Sequence, residues 1–231
     1  FHHTSLPIQN TMAQKPKLTL FVDIVSPFAY MAFHVLQRSQ AFKQVEITYI
    51  PIFLGGVMKA CDNRPPISIT NKAAYIESDR KRWSKYANVP MGKNMPKDFP
   101  PMTLHVMRAL AVVEQQQPDK LSDSIAALYK GMWVDGKTVH KPEVFEAVLA
   151  EVLGKEGAKS VVEQSTKPAA KAKLQANTDL AFKEGAFGLP WFVATNMEGV
   201  TEKYWGFDHL GQVVEHLGLD RGQAKELRAM L

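Results

Sequence analysis

The run from Lys17 to Ile52 limits the possible folds more than any other part of the chain. Lys17-Leu-Thr-Leu-Phe-Val-Asp-Ile-Val25 is β-rich and nearly all apolar, the pattern of a strand buried on both faces. Ser26-Pro27 punctuates it. Beyond that point Ala29, Ala32, Phe33, Leu36 and Ala41 recur at helical spacing, predicting an amphipathic helix from Phe28 to Phe42. Ser26 is placed as its N-cap and Pro27 as its first residue, where a missing N–H costs nothing. Val45 to Ile52 reads as a second strand. Strand, helix, strand is a right-handed βαβ unit and implies a parallel sheet.

From about Ser68 to Glu184 the pattern is helical almost throughout. The segments are Ser68–Tyr86, Met102–Gln117, Asp119–Trp133, Glu143–Leu153 and Lys167–Glu184. The last is framed by Thr166 as a cap, Pro168 near its start and Gly185 past its end. Strand character returns at Trp191–Thr195 and Val200–Trp205, joined by the hairpin-sized turn Asn196-Met-Glu-Gly199. Gly206 then leads into an amphipathic helix, Asp208–Leu217. The chain order is βαβ, a helical insertion, then ββα. Residues 1–11, with His2-His3 and no hydrophobic pattern, read as the remnant of an affinity tag, with Met12 as the native start.

Several function classes drop out. Twenty-eight Lys plus Arg against 23 Asp plus Glu leave a net charge of +5, and it is dispersed. Its densest cluster, Arg80-Lys81-Arg82, is interleaved with Glu77, Asp79 and Trp83 and reads as a solvated helix face, so no nucleic-acid partner is expected. The longest apolar run, Ala186–Ala194, is broken by Gly188 and Pro190 and is too short to span a membrane. The one cysteine, Cys61, excludes an internal disulfide, a CxxC redox pair and a multi-thiolate metal site, and fits a reducing, intracellular setting. The histidines form no HExxH or short-spaced pair, and no metal is expected. Gly131-Met-Trp-Val-Asp-Gly136-Lys137-Thr138 satisfies the P-loop expression. It follows a helix rather than a strand, however, and its inner residues are too bulky to wrap phosphate.

Three local features remain, each with an ordinary structural reading. Ser26 is a hydroxyl at the start of the first helix, where an N-cap belongs. Gly185-Ala-Phe-Gly-Leu-Pro190 opens a strand with a proline, either an edge-strand start or a cis bond. Gly206-Phe207-Asp208 begins the final helix, where an aspartate favours the helix dipole. A βαβ…ββα chain brings all three to one edge of its sheet.

These residues, with Phe21-Val-Asp-Ile-Val-Ser-Pro-Phe-Ala-Tyr30, Gly55-Gly-Val-Met-Lys59, Asn63-Arg-Pro-Pro66 and Pro96-Lys-Asp-Phe99, resemble the kappa-class glutathione transferases. That class lies within the thioredoxin superfamily, beside the 2-hydroxychromene-2-carboxylate isomerases. The resemblance runs from about Leu18 to Leu217. It implies an α/β, thioredoxin-like fold with a large all-helical insertion. Residues 12–66 with 185–231 would form the thioredoxin-like domain and 67–184 the insertion.

The resemblance also implies glutathione as co-substrate, a small hydrophobic electrophile as the second substrate, and a homodimer. Ser26 would donate a hydrogen bond to the glutathione sulfur, with the Phe28 backbone beside it. A cis Pro190 would present the main chain of Leu189 to the glutathione cysteine. Asp208 would accept from the γ-glutamyl ammonium, the Phe207 amide would receive its carboxylate, and Asn63 would reach the tripeptide unless it is only a turn residue. Two departures stand out: Phe207-Asp208-His209 replaces the common Ser-Asp-Arg, and Phe28-Ala29-Tyr30 a Tyr-Ser-Trp-like run. The alternatives are a glutathione-dependent isomerase and a non-catalytic binding module. Cytoplasm, mitochondrion and peroxisome stay open.

Overall fold

β1 (Lys17–Val22) lies at the centre of a four-stranded sheet ordered β2-β1-β3-β4, with β2 (Glu46–Pro51), β3 (Trp191–Thr195) and β4 (Thr201–Trp205). β1 pairs in parallel with β2 and antiparallel with β3, and β3 with β4 is antiparallel. The parallel pairing inferred from the βαβ unit thus holds for one pair only, and the sheet is mixed. The centre position explains the sequence of β1: Leu18, Leu20, Phe21 and Val22 are all buried. Fully burying such a side chain contributes roughly 1.5–3 kcal/mol. The computed structural model describes residues 15–227 and Met230; the tag reading and Met12 fall outside the described residues.

β1 stops three residues earlier than its apolar run suggests. The Asp23 carbonyl accepts from Ser26 N (3.1 Å) and its carboxylate from Val25 N (3.1 Å), which turns the chain into α1 (Pro27–Arg38). Ser39, in extended conformation, ends α1 before a short 3-10 turn over Gln40–Phe42. A short helix that the sequence reading omits, α2 (Leu54–Ala60), follows β2; its Gly55-Gly56 pair hides it from propensity.

The insertion comprises α3 (Lys72–Tyr86), α4 (Leu104–Gln116), α5 (Leu121–Trp133), α6 (Pro142–Ser165) and α7 (Pro168–Lys183). α6 comprises two helical segments, the first of which ends at the expected Leu153. Gly154, at φ +74° and ψ 163°, is non-helical and breaks the run, and a second helical segment follows to Ser165. Thr166 is not the cap of α7. It closes α6, its hydroxyl donating to Glu163 O, while Lys167 caps α7 and Pro168 takes the first helical position. α8 (Leu210–His216) is preceded by a 3-10 turn over Phe207–His209.

Arg80 corrects the reading of the basic cluster. It is 1% exposed, bidentate to Glu77 (2.9 Å each) and bonded to the Gly92 and Lys93 carbonyls. Only Lys81 and Arg82 face solvent. The P-loop pattern has no P-loop geometry: Gly131–Trp133 belong to α5, Lys137 N donates to Gly131 O, and the next helix waits until Pro142. Among the described residues no helix is long and apolar enough to cross a membrane.

Candidate functional site

The amino end of α1 opens onto a cavity of about 410 Å³. Val25, Ser26, Pro27 and Phe28 form one wall. Phe53, Leu54 and Met58 come from the start of α2, and Asn63, Pro65 and Pro66 from the loop beyond it. Met95 and Phe99 to Thr103 lead into α4, while Gly188, Leu189 and Trp205 come from the sheet side. Most of this surface is apolar.

Ser26 is buried, and its hydroxyl does two things. Oγ accepts from Ala29 N at 3.2 Å, the N-cap bond of α1. It also donates to the Leu189 carbonyl, at 3.5 Å. An O–H···O bond is normally near 2.7–2.8 Å, so the second contact is weak and a stronger acceptor can take over the hydrogen bond. The helix dipole adds positive potential at the same place. Two side chains of α5 brace the loop from behind: Tyr129 OH donates to Asp23 O (3.2 Å) and Trp133 Nε1 to Ile24 O (2.8 Å).

Beneath Ser26 lies Asp23, fully buried at the edge of the cavity. Burial pushes its carboxyl from 3.8 up to about 6, against the opposing pull of hydrogen bonds from Leu54 N, Val25 N and the Thr103 side chain. Opposite, the Leu189–Pro190 bond is cis. Asn63 Nδ2 donates to Phe187 O (2.7 Å) and its Oδ1 accepts from Arg64 N (2.8 Å), joining the loop after α2 to the loop before β3. Trp205 lies across Gly188, where an added Cβ would stand 2.7 Å from the indole nitrogen, and packs against Phe187 with ring centroids 4.8 Å apart and planes tilted by 49°.

Residues 17–218 match the DSBA-like thioredoxin domain family. The chain is 30% identical to glutathione S-transferase kappa 1 of Rattus norvegicus, over 87% of its own length and 90% of that protein. It belongs to the kappa-class glutathione S-transferase family. The kappa 1 protein of Caenorhabditis elegans is 27% identical, over 89% of this chain and 92% of that one. A solved 2-hydroxychromene-2-carboxylate isomerase superposes with a TM-score of 0.72 at 21% identity, covering 87% of this chain and 94% of that one, which shows the common fold.

Against the expected site of a kappa-class chain, Ser26, Phe28, Asn63 and Leu189 line one cavity. Pro190, Phe207 and Asp208 adjoin that lining in sequence without being part of it. The Phe207 side chain is buried edge-on against Trp83 at 5.7 Å. The Asp208 side chain is 58% exposed and stands 3.4 Å from His209 Nδ1. Gly206, at φ +101°, makes that fold-back possible, since a Cβ there would meet Asp208 Oδ1. Asp79 on α3 has its carboxyl raised by partial burial, against the pull of Arg82 and with the Asp208 charge adding to the rise.

Two features of the cavity escape a sequence reading. Trp205 reads as the end of a strand, and only the pairing of β4 with β3 brings it over Gly188. Asp23 carries a usable signal: an acidic residue closing a buried apolar strand has to satisfy its carboxylate somewhere.

Proposed function

We propose that this chain is a kappa-class glutathione S-transferase in which Ser26 stabilises the glutathione thiolate for attack on small, uncharged, apolar electrophiles. The observation that carries the reading is the Ser26 hydroxyl on the cavity wall, its proton only loosely held at 3.5 Å from Leu189 O. A thiol of pKa about 8.5 is mostly protonated at neutral pH. A hydrogen bond to a charged acceptor contributes about 1.5–3 kcal/mol, or one to two pKa units, and the helix dipole acts in the same direction. The sulfur then forms a bond to the electrophilic carbon, and the leaving group departs with its bonding pair. Ser26 keeps its proton throughout: it is a donor, not a nucleophile. The same thiolate supports hydroperoxide reduction as a secondary activity.

The rest of the tripeptide site belongs to the same proposal. Leu189 meets the cysteinyl backbone in strand fashion, the Phe28 backbone lies beside the sulfur, and Asn63 contributes its second amide hydrogen. Pro190 shapes the Leu189 main chain, while the Phe207 amide and Asp208 take the γ-glutamyl end. A homodimer is part of the reading, and the exposed Phe187–Trp205 pair beside edge strand β4 supplies apolar surface for it.

The charge of the cavity favours transfer over isomerisation of a carboxylate. Among the described residues that line it there is no Lys, Arg or His, and its one acidic group is Asp23. An anionic substrate would find no counter-charge there. The test is a calorimetric titration with glutathione, followed by rates on a neutral aryl halide and on a chromene-carboxylate. Binding with conjugation of the neutral substrate supports the proposal. Turnover of the carboxylate alone supports the isomerase, and no binding leaves a non-catalytic module.

A further inference from the structure

We propose that Asp23 is a positioning residue: one buried carboxyl group ties the helix start that carries Ser26 to both apolar walls of the cavity. It thereby sets the geometry between thiolate and electrophile. The proposal rests on the reading of Ser26 as thiolate donor. Asp23 Oδ1 accepts from Val25 N at 3.1 Å and Oδ2 from Leu54 N at 2.9 Å. The Thr103 side chain acts on the same carboxyl. The Asp23 backbone carbonyl accepts from Ser26 N at 3.1 Å and Tyr129 OH at 3.2 Å.

Each partner controls a different part of the site. Val25 and Ser26 set the amino end of α1. Leu54 opens α2, whose N-cap residue Phe53 has no side-chain acceptor to offer, so Asp23 caps that helix from another element. α2 carries Met58 and leads to Asn63. Thr103 ends the Phe99–Met102 wall where α4 begins. An apolar residue could fill the space but could not hold two backbone N–H groups from separate segments, and each would then be orphaned. Misplacement of reacting groups by about 1 Å costs up to 10²-fold in rate. A clamp next to the donor serine therefore acts on turnover as well as on folding.

The experiment compares the full-length protein with Asp23→Asn, Thr103→Val, Ser26→Ala and Gly154→Ala. Four quantities are read: glutathione affinity by calorimetry, bound-thiol pKa from thiolate ultraviolet absorbance, steady-state kinetics on a neutral aryl halide, and melting temperature. Asn keeps one carbonyl acceptor and turns an NH2 group toward the second N–H, so one strut is lost. Asp23→Asn is expected to keep glutathione affinity within about threefold. Its kcat falls about tenfold or more, its KM for the electrophile rises, and its bound-thiol pKa rises by about one unit. Thr103→Val moves the same readouts in the same direction by less. Gly154→Ala, away from the cavity, lowers the melting temperature alone.

Asp23→Asn that melts lower with wild-type kcat and bound-thiol pKa overturns the proposal and leaves Asp23 structural. If Asp23→Asn does not fold, wild-type kinetics in Thr103→Val overturn it instead. Bound thiolate that survives in Ser26→Ala removes the donor reading, and the proposal with it. Loss of thiolate in Ser26→Ala beside wild-type behaviour in Asp23→Asn removes the proposal alone.

Discussion

A single hydroxyl serves α1 twice, as its cap and as the donor that faces the cavity, and the two duties separate experimentally. Ser26→Ala removes the N-cap bond to Ala29 N and should cost about 1 kcal/mol of stability in denaturant unfolding. The same variant should retain glutathione affinity yet lose about tenfold or more in rate near neutral pH, with recovery as pH approaches the thiol's own pKa. Unchanged rates at neutral pH would rule out the donor role. Asp23 links charge to stability in a definite direction. Its folded pKa, about 6, lies above the ordinary 3.8, so the native state holds a proton that the unfolded chain has released. Stability contributed there is present below about pH 4, is lost as pH rises to about 6, and changes no further above that; the span is about 3 kcal/mol. Subtracting the Asp23→Asn pH profile from that of the native sequence should expose this slope, and parallel profiles would contradict it. The Asp208 side chain is 58% exposed, so Asp208→Ala should weaken glutathione binding only a few-fold in calorimetry, and less at high salt.

Between elements, the decisive joints are those where one segment supplies what another lacks. α2 begins without a capping side chain and borrows the Asp23 carboxylate from the end of β1. α3 is anchored by Arg80, whose guanidinium reaches the Gly92 and Lys93 carbonyls and draws Glu77 below the ordinary carboxylate range. α6 changes direction at Gly154, where φ is +74° and nothing lies within 4 Å of an added Cβ. The cost of Gly154→Ala is therefore one of backbone alone, about 1–3 kcal/mol at φ +74° and ψ 163°, and should appear as a lower denaturation midpoint with an unaltered m-value. A much larger loss would mean that the kink is packed rather than free.

At the scale of the whole chain, the cavity exists because an inserted helical block and a mixed sheet meet at the amino end of α1. Its walls come from residues as distant as Asp23 and Trp205. Glutathione binding to the folded state alone should raise stability by about 2.7 kcal/mol at a hundred times its Kd, read as a concentration-dependent shift in melting temperature. Neutral apolar electrophiles should outcompete carboxylates of similar size in steady-state assays, because no Lys, Arg or His is among the described residues that line the cavity. A preference for the carboxylate would show that a positive group reaches the site from elsewhere.

The sequence by itself determined the βαβ opening, the Ser26 cap with Pro27 behind it, the hairpin at Asn196–Gly199 and the helical character of the middle. All of these are set by local periodicity, capping and turn chemistry acting within a dozen residues. The tertiary structure alone decided that the sheet is mixed and that Arg80 turns inward. It also decided that Trp205 rests on Gly188 and that Asp23 joins three segments. Each of those outcomes depends on partners remote along the chain, where burial and unsatisfied hydrogen-bonding groups outweigh local propensity.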